Sequence, residues 1–338
     1  MSEKTKKRIN RLSFWQNVIT ALILADSVFL FFVIEQHWKN STVIPLVKQE
    51  VAPVFISPYI FLKLEAKSAA VFDGKQNRFL YEYNSRKQLP LASLTKIMTA
   101  ITALSLVSAS TTIPFDSSFI GHEEVSGINA KETFSLHDLL KLMLVRSSND
   151  SAFAIASVVG SLTENTNDLA VGRKRFVSEM NKIAKKIGVR ETYFVNSTGL
   201  DENGDIAGSY GSAQDIVKLM DFAVQNFGEI FKSTTEERID IYSSSTVHHV
   251  VNSNKSIRNL PGLVGSKTGY TDLAGGNLAI TYMFATDTPI TVVVLGSSKN
   301  GRFTDIEMLA STTKAYFMAE NEAILKQRLS ALSDATLQ

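Results

Sequence analysis

The strongest constraint on the fold is β-type sequence at both ends of the chain with helical sequence between. Residues 278–284 and 290–296 are nearly continuous apolar runs of strand length, and the turn at 286–289 predicts that they pair antiparallel. Residues 69–83 predict a β-hairpin around a turn at 73–77. Strands from both ends that enclose helices predict an α+β domain built on one antiparallel sheet.

The segment between the strands carries apolar residues at helical spacing. Ser135 has the properties of an N-cap, and Gly188 those of a C-terminal cap. Helices are expected to begin near residues 93, 135, 150, 176 and 212, and a closing helix is expected over about 304–317.

Composition removes several classes of function. The chain has no cysteine, which excludes disulfides and thiolate metal sites. A net charge of +2 over 338 residues gives no indication of nucleic-acid binding. The five histidines are scattered, so neither a metal nor a cofactor is expected.

The N-terminal sequence predicts a membrane anchor. Five basic residues within the tail 1–16 precede an apolar segment, 17–35, and this order keeps the N-terminus in the cytoplasm and exports the rest. Within the lipid, the side chain of Asp26 would be protonated or would pair with a partner group. A cleaved signal peptide is the alternative, although no small-x-small site follows. Residues 36–64 contain three prolines and are expected to form a juxtamembrane linker.

Ser93 and Lys96 form a Ser-x-x-Lys pair at the start of a predicted helix. Residues three apart lie on one helix face, so the Lys96 amine can reach the Ser93 hydroxyl. A helix N-terminus also favours an oxyanion. Lys96 can act as a base only when uncharged, and burial and a second cation would lower its pKa. Ser311 and Lys314 repeat the pattern and are expected to lie on the surface.

Two more motifs follow in order, Ser147-Ser148-Asn149 and Lys267-Thr268-Gly269. The order Ser-x-x-Lys, Ser-Asp-Asn, Lys-Thr-Gly is the signature of penicillin-binding proteins and class A β-lactamases. Together with the segments PLASLTKIMTA, TYFVNSTGLD and LPGLVGSKTGYTDLAGGNL, these motifs make the chain resemble the serine D-alanyl-D-alanine carboxypeptidases, the low-molecular-mass penicillin-binding proteins.

The resemblance implies a catalytic domain over residues 65–318, with a C-terminal tail at 319–338. Its fold would be a sheet flanked by helices with an all-helical subdomain, as in serine β-lactamases. The implied catalytic residues are Ser93 as nucleophile, Lys96 as base and Ser147 as proton relay. The implied substrate-binding residues are Asn149, Lys267, Thr268, Gly269 and Tyr270, with an oxyanion hole from the N–H groups of Ser93 and Tyr270.

The implied substrate is a peptidoglycan stem peptide that ends in D-Ala-D-Ala, and β-lactams would be covalent inhibitors. The implied location is the bacterial cytoplasmic membrane, with the catalytic domain outside. A DD-endopeptidase that cuts peptide cross-links would use the same residues, so it stays an alternative. A class A β-lactamase needs a further carboxylate base, in a Glu-x-x-Leu-Asn loop that is missing between Asn149 and Lys267. An inactive wall-binding protein would form no covalent adduct.

Three positions stay open from the sequence alone. Ser148 replaces the aspartate or glycine usual in relatives, a change expected to be tolerated. Arg302 could hold a substrate carboxylate or pair on the surface. Residues 196–201 form a turn by composition, for which packing near the rim of the site is favoured over catalysis.

Overall fold

The computed structural model describes residues 20, 22–28, 30, 34–36, 55–122 and 127–336. The chain divides into two units, residues 1–53 and 54–338. The predicted basic tail and parts of the predicted anchor and linker lie outside the described residues, and those described between 20 and 36 are helical. Over the part of the chain that is described, no helix has both the length and the apolar character required to cross a bilayer.

In the described residues of the second unit there are twelve strands and six α-helices. The helices are α1 (Thr95–Leu106), α2 (Leu136–Val145), α3 (Asn149–Glu164), α4 (Leu169–Ile187), α5 (Ala213–Lys232) and α6 (Gly301–Thr336). The strands are β1 (Ser68–Asp73), β2 (Arg78–Tyr83), β3 (Leu89–Pro90), β4 (Thr112–Pro114), β5 (Thr133–Ser135), β6 (Tyr193–Phe194), β7 (Ser209–Gly211), β8 (Arg238–Tyr242), β9 (Val247–Val251), β10 (Leu263–Thr271), β11 (Gly275–Ala285) and β12 (Thr288–Ser297).

A five-stranded antiparallel sheet in the order β10-β11-β12-β1-β2 joins the two ends of this unit. The predicted hairpin and the predicted C-terminal pair meet where β1 lies against β12, with Val71 opposite Val292. The α+β architecture with one main antiparallel sheet is therefore confirmed.

Both faces of this sheet are covered. Val293 of β12 packs in the core that includes α5, whereas its neighbours Val292 and Val294 pack in the core beneath the start of α6. Burying a valine side chain contributes about 1.5–3 kcal/mol. A strand covered on both faces needs apolar residues at every position, which explains the continuous runs in the sequence.

Helices α1 to α4 form the helical part of the unit, and α3 packs on α4 through two glycines. A Cβ atom at Gly160 would lie 1.9 Å from the carbonyl oxygen of Gly172, so only glycine permits this approach. The predicted caps are confirmed, since Ser135 Oγ accepts from the Asp138 N–H and Gly188 has a φ of 85°. The all-helical subdomain and the sheet meet at the site described below.

Two segments differ from the sequence expectation in their extent. Helix α6 continues to Thr336 instead of ending near 317, because residues with high helix propensity follow although they bury little apolar surface. Within the predicted linker, Tyr59 is buried and its hydroxyl lies 2.7 Å from Thr313 Oγ1 on α6. Residues 55–64 thus belong to the second unit and pack against its closing helix.

Candidate active site

Ser93 lies in a 3₁₀ turn, Ala92–Leu94, that leads directly into α1. Ala92 has a φ of 49°, a left-handed conformation that L-residues adopt at an energetic cost. Thr95 Oγ1 donates a 2.6 Å hydrogen bond to the Ala92 carbonyl and fixes this turn. Ser93 directly precedes the N-terminal end of α1. Its side chain is only partly buried, so a ligand can reach its hydroxyl.

Lys96 lies fully buried one helical turn beyond Ser93. Its Nζ lies 3.0 Å from Ser93 Oγ, 2.7 Å from Asn149 Oδ1 and 2.7 Å from the Thr198 carbonyl oxygen. The last two atoms can only accept hydrogen bonds. In the uncharged amine they take both N–H groups, and the lone pair then faces the Ser93 hydroxyl. This is the geometry of a general base.

Ser147 and Lys267 form a second hydroxyl–amine pair. Lys267 Nζ donates to Ser147 Oγ at 2.7 Å and to the Thr268 carbonyl at 2.8 Å. Ser147 has a φ of 71°, a strained conformation that directs its side chain to Lys267. The lysine that the third motif supplies thus contacts the serine of the second motif.

The electrostatics of the site disfavour a charge on Lys267. Its side chain is 1% exposed, and burial lowers the pKa of its ammonium well below the usual value. The positive charges of Lys96 and Arg302 lower this pKa further. The expected proximity of the two motif lysines is therefore confirmed.

Asn149 begins α3 and links two parts of the site. Its Oδ1 accepts from Lys96, as expected, while its Nδ2 donates to the His122 carbonyl at 3.0 Å. The preceding Ser148 is buried and caps α3, since its hydroxyl accepts from the Ser151 N–H at 3.1 Å. Ser148, the unusual residue of the second motif, is therefore the N-cap of α3.

Two glycines bring backbone against the Ser93 turn. A Cβ atom at Gly269 would lie 3.0 Å from the Leu91 carbonyl oxygen and 3.1 Å from the Ser93 nitrogen. At Gly199, whose φ is 79°, it would lie 2.0 Å from the Ala92 carbonyl oxygen. Gly269 was expected to bind substrate; in the structure its lack of a side chain also allows β10 to approach Ser93.

The turn at 196–201 does more than pack at the rim. Thr198 presents its carbonyl to Lys96, and Asn196 Oδ1 accepts from the N–H groups of Thr198 and Gly199 to hold that turn. The sequence expectation missed this contribution because a backbone carbonyl has no residue signature. Asn196 and Gly199, spaced three apart, were the sequence signal that could have predicted this tight turn.

The remaining motif residues lie around the same cleft. Thr268 is buried with its hydroxyl 2.7 Å from Ser253 Oγ. Tyr270 is 40% exposed, and Lys299 Nζ lies 5.1 Å from its ring centroid. An oxyanion hole at Ser93 and Tyr270 stays a prediction, although the close approach of Gly269 to the Ser93 nitrogen is compatible with it.

Arg302 and the second Ser-x-x-Lys pair lie in different environments. Arg302 is buried and its Nη1 donates to the Gly269 carbonyl at 2.5 Å, so its interpretation as a surface partner is wrong. Binding of a substrate carboxylate by Arg302 stays a prediction. Ser311 and Lys314 are exposed, as expected, and Ser311 Oγ donates to the Met308 carbonyl. Over the described residues, no group of three or more His, Asp or Glu side chains could hold a metal ion.

A serine–lysine pair on a helix, a Ser-x-Asn loop and a Lys-Thr-Gly strand at one cleft define the class of serine penicillin-binding proteins and β-lactamases. Residues 54–299 match the D-alanyl-D-alanine carboxypeptidase family, peptidase family S11. The chain belongs to this family.

Relatives and solved structures agree with this family. The chain is 28% identical to the D-alanyl-D-alanine carboxypeptidase DacF of Bacillus subtilis over 67% of its own length and 58% of the relative's. It is 29% identical to the D-alanyl-D-alanine endopeptidase of Haemophilus influenzae, over 63% of its own length and 69% of that protein's. Penicillin-binding protein D2 from Listeria monocytogenes, solved with ampicillin bound, superposes with a TM-score of 0.63 at 28% identity, covering 74% of this chain and 98% of that one.

Proposed function

We propose that the chain is a serine DD-carboxypeptidase, which releases the terminal D-alanine from stem peptides that end in D-Ala-D-Ala. One observation carries the proposal. The Nζ atom of the buried Lys96 lies within hydrogen-bond distance of the Ser93 hydroxyl and of two carbonyl oxygens, so an uncharged amine would donate its N–H groups to the carbonyls and turn its lone pair to Ser93. Membership of the carboxypeptidase family supports the choice of substrate.

Acylation follows from this arrangement. Lys96 takes the hydroxyl proton while Ser93 Oγ attacks the carbonyl carbon of the penultimate residue. The N–H groups of Ser93 and Tyr270 would stabilise the oxyanion. Ser147 then donates its proton to the leaving nitrogen, and the adjacent Lys267 ammonium restores it. The C–N bond breaks, D-alanine leaves, and the acyl group stays on Ser93.

The second step returns the enzyme to its starting state. After acylation, Lys96 returns its proton to the now uncharged Lys267 amine, so both lysines regain their starting states. A water molecule then gives a proton to Lys96 and attacks the acyl carbon. The ester bond to Ser93 Oγ breaks, the serine regains its proton, and the shortened peptide leaves. A β-lactam would acylate the same serine, and the ampicillin complex of the Listeria protein supports this expectation.

Lys267 and Thr268 are proposed to bind the terminal carboxylate of the substrate. Both side chains are polar, buried and lie on β10 beside the nucleophile. Lys267 Nζ donates to a hydroxyl and a carbonyl, and the Thr268 hydroxyl contacts that of Ser253, so these are neutral partners that neutralise no charge. A substrate anion would stabilise the Lys267 ammonium that burial disfavours. Binding of substrate thus keeps Lys267 protonated, and this ammonium supplies the proton that Ser147 passes to the leaving nitrogen.

The experiment uses the purified protein with a fluorescent penicillin and with a pentapeptide that ends in D-Ala-D-Ala. We expect a covalent label and free D-alanine, both abolished in Ser93→Ala. Ser311→Ala, which alters the surface copy of the pattern, is the matched control and should behave as wild type. A label that persists in Ser93→Ala would refute the assignment of the nucleophile.

A DD-endopeptidase is the second candidate, because the Haemophilus relative carries that name at similar identity. The two activities share the chemistry and differ in what occupies the leaving-group side. Incubation with a cross-linked peptide dimer separates them. Cleavage of the dimer at a rate above that of D-alanine release would favour the endopeptidase.

We propose that residues 17–35 anchor the chain in the bacterial cytoplasmic membrane with the catalytic unit outside. The basic residues before this apolar segment support the orientation. In a bacterial expression host, the full chain should stay with membranes at high salt, and a variant that lacks residues 1–35 should not. Digestion of the catalytic unit by protease added to spheroplasts tests its side of the membrane.

A further inference from the structure

His122 lies against the first turn of α3, where two successive residues bind its backbone. The Asp150 carboxylate accepts from the His122 N–H, with 2.8 Å between Oδ1 and the nitrogen. The His122 carbonyl accepts from Asn149 Nδ2 at 3.0 Å. One turn further along α3, the Phe153 ring stacks on the His122 imidazole, with 4.1 Å between the ring centroids. His122 is therefore attached to α3 through its N–H, its carbonyl and its side chain.

Asp150 is a fully buried carboxylate, and its placement is costly for the fold. Over the described residues, its second oxygen, Oδ2, is buried and accepts no hydrogen bond. The N-terminal end of a helix favours a negative charge, but removing a carboxylate from water costs more free energy than one hydrogen bond returns. Stability alone therefore does not account for Asp150, and its contact with the His122 N–H indicates another role.

The Asn149 amide has two orientations, which have opposite effects on Lys96. In the structure, Oδ1 accepts from Lys96 Nζ at 2.7 Å while Nδ2 faces the His122 carbonyl. The reversed amide would direct its N–H groups at the Lys96 amine. An uncharged amine has a single lone pair, so this donor would occupy the electrons that must accept the Ser93 proton. Only the observed orientation leaves Lys96 able to act as the base.

The His122 carbonyl selects between these two orientations. A carbonyl oxygen only accepts hydrogen bonds, so it attracts Nδ2 of Asn149 and repels Oδ1. The selection requires that this carbonyl keep its position. Because the N–H and the carbonyl belong to the same residue, the hydrogen bond to Asp150 fixes where the carbonyl lies. A carboxylate binds a backbone N–H more strongly than a neutral acceptor does.

We propose that Asp150 is a positioning residue of the active site, which holds the His122 carbonyl so that the Asn149 amide presents its oxygen, and not its N–H groups, to Lys96. The inference rests on the proposed function, in which Lys96 is the base. Asp150 takes no direct part in the reaction in this arrangement and acts through Asn149.

The test measures the second-order rate constant of acylation by a fluorescent penicillin from about pH 5 to 9. In Asp150→Ala the His122 carbonyl is released and the amide can reverse. The plateau rate should fall about 10- to 100-fold, the usual effect of losing a hydrogen bond to a charged group. The acid limb should move to lower pH, because an N–H donor to the lone pair stabilises the uncharged amine. Lys267, the charged neighbour of Lys96, is unchanged in this variant.

Two other substitutions of Asp150 separate the acceptor from the charge. Asp150→Asn keeps an oxygen for the His122 N–H, so its limb should stay at the wild-type pH and its plateau within about 3-fold. Asp150→Leu has the branched shape of the carboxylate without an acceptor and should behave as Asp150→Ala. An apolar side chain of similar volume often replaces a buried charge without loss of stability. Asp150→Leu thus keeps the inference testable if Asp150→Ala does not fold.

A double mutant separates action through Asn149 from a general loss of stability. Asn149→Ala has no amide to reverse, so adding Asp150→Ala should cause no further loss of acylation rate. Asp215→Ala is the matched control, since Asp215 is also fully buried in the first turn of a helix, α5, and accepts from the Glu191 N–H at 2.6 Å. It should lower the Tm and leave the acylation rate and the limb unchanged.

A slower plateau with an unmoved limb, repeated in the Asn149→Ala background, would overturn the inference, because a purely structural role predicts that pattern. Wild-type acylation in Asp150→Leu would also overturn it, as would an Asp150→Asn variant as impaired as Asp150→Leu. Each of these results leaves the proposed function intact. Absence of labelling in the wild type would instead refute the proposed function.

Discussion

The amine nitrogen of Lys267 lies 2.7 Å from the hydroxyl oxygen of Ser147, although the two residues are 120 positions apart in the chain. This contact joins the sheet, which supplies Lys267 on β10, to the loop before α3. It lies beside the shorter-range pair of Ser93 and Lys96. The site therefore contains two hydroxyl–amine pairs; in the proposed function, the Ser93–Lys96 pair deprotonates the nucleophile and the Ser147–Lys267 pair protonates the leaving group.

Removal of the Ser147 hydroxyl should slow peptide acylation about 10²- to 10⁴-fold, the usual contribution of a positioned proton donor. Ser147→Ala and Ser147→Gly should lose activity equally, because both lack the hydroxyl. The glycine variant should have the higher Tm, because the φ of 71° strains alanine by about 1 kcal/mol or more. Acylation kinetics and calorimetry check the two effects. Retained activity in Ser147→Gly would show that the backbone conformation, not the hydroxyl, matters.

Lys267→Met should alter how stability depends on pH. The folded-state pKa of Lys267 lies below its ordinary value, so between the two values the unfolded chain binds the additional proton. The free energy of unfolding of wild type therefore rises with pH across this window, by about 1.4 kcal/mol for each unit of pKa difference. Lys267→Met lacks this contribution, and its Tm relative to wild type should fall as pH rises.

The measurement is the Tm of both proteins from about pH 6 to 9.5, below the ordinary pKa of tyrosine. The upper limit matters because burial raises the pKa of Tyr59 and Tyr282, which then destabilise the fold at higher pH. A Tm difference that stays constant over this range would contradict an uncharged or easily deprotonated Lys267. The variant should also fail to release D-alanine.

Gly199→Ala should abolish penicillin labelling. The added methyl group would lie 2.0 Å from the Ala92 carbonyl oxygen, so either the Ser93 turn or the Thr198 carbonyl must move. Gly204→Ala is the matched control, since it lies in the same segment and a Cβ atom there meets nothing within 4 Å. Gel fluorescence after incubation with labelled penicillin checks both. Normal labelling of Gly199→Ala would mean that this close contact does not position the nucleophile.

Asn149→Asp should move the acid limb of the kcat/KM profile to higher pH. The new carboxylate would lie where Oδ1 now lies, 2.7 Å from Lys96 Nζ, and would stabilise the ammonium form that cannot act as a base. The loss of the Nδ2 donor to the His122 carbonyl should lower the rates at every pH without moving the limb. Asn149→Ala removes both contacts without adding a charge, so it should lower the rates without moving the limb to higher pH. An unshifted limb in Asn149→Asp would argue against Lys96 as the base.

Much of the fold was predictable from local sequence patterns. The continuous apolar runs in β11 and β12, the N-cap at Ser135 and the glycine after α4 each depend on neighbours within a few residues. The end of α6 was predicted too early. Its last turns carry Leu325, Leu329 and Leu332 at helical spacing, but these side chains are exposed and add nothing to the core. Patterns of local sequence predict buried helix faces and capping residues, and the C-terminal end of α6 has neither.

For the site, the chain alone determined which side chains are present and that Ser93 and Lys96 share a helix face, because a spacing of three sets that distance within one helical turn. The tertiary structure alone decided that Lys267 meets Ser147, that Arg302 is buried against β10, and that the Thr198 carbonyl holds Lys96. These contacts join segments far apart in the chain. Their distances depend on how the sheet packs against the helices, a property of the whole core that no local pattern encodes.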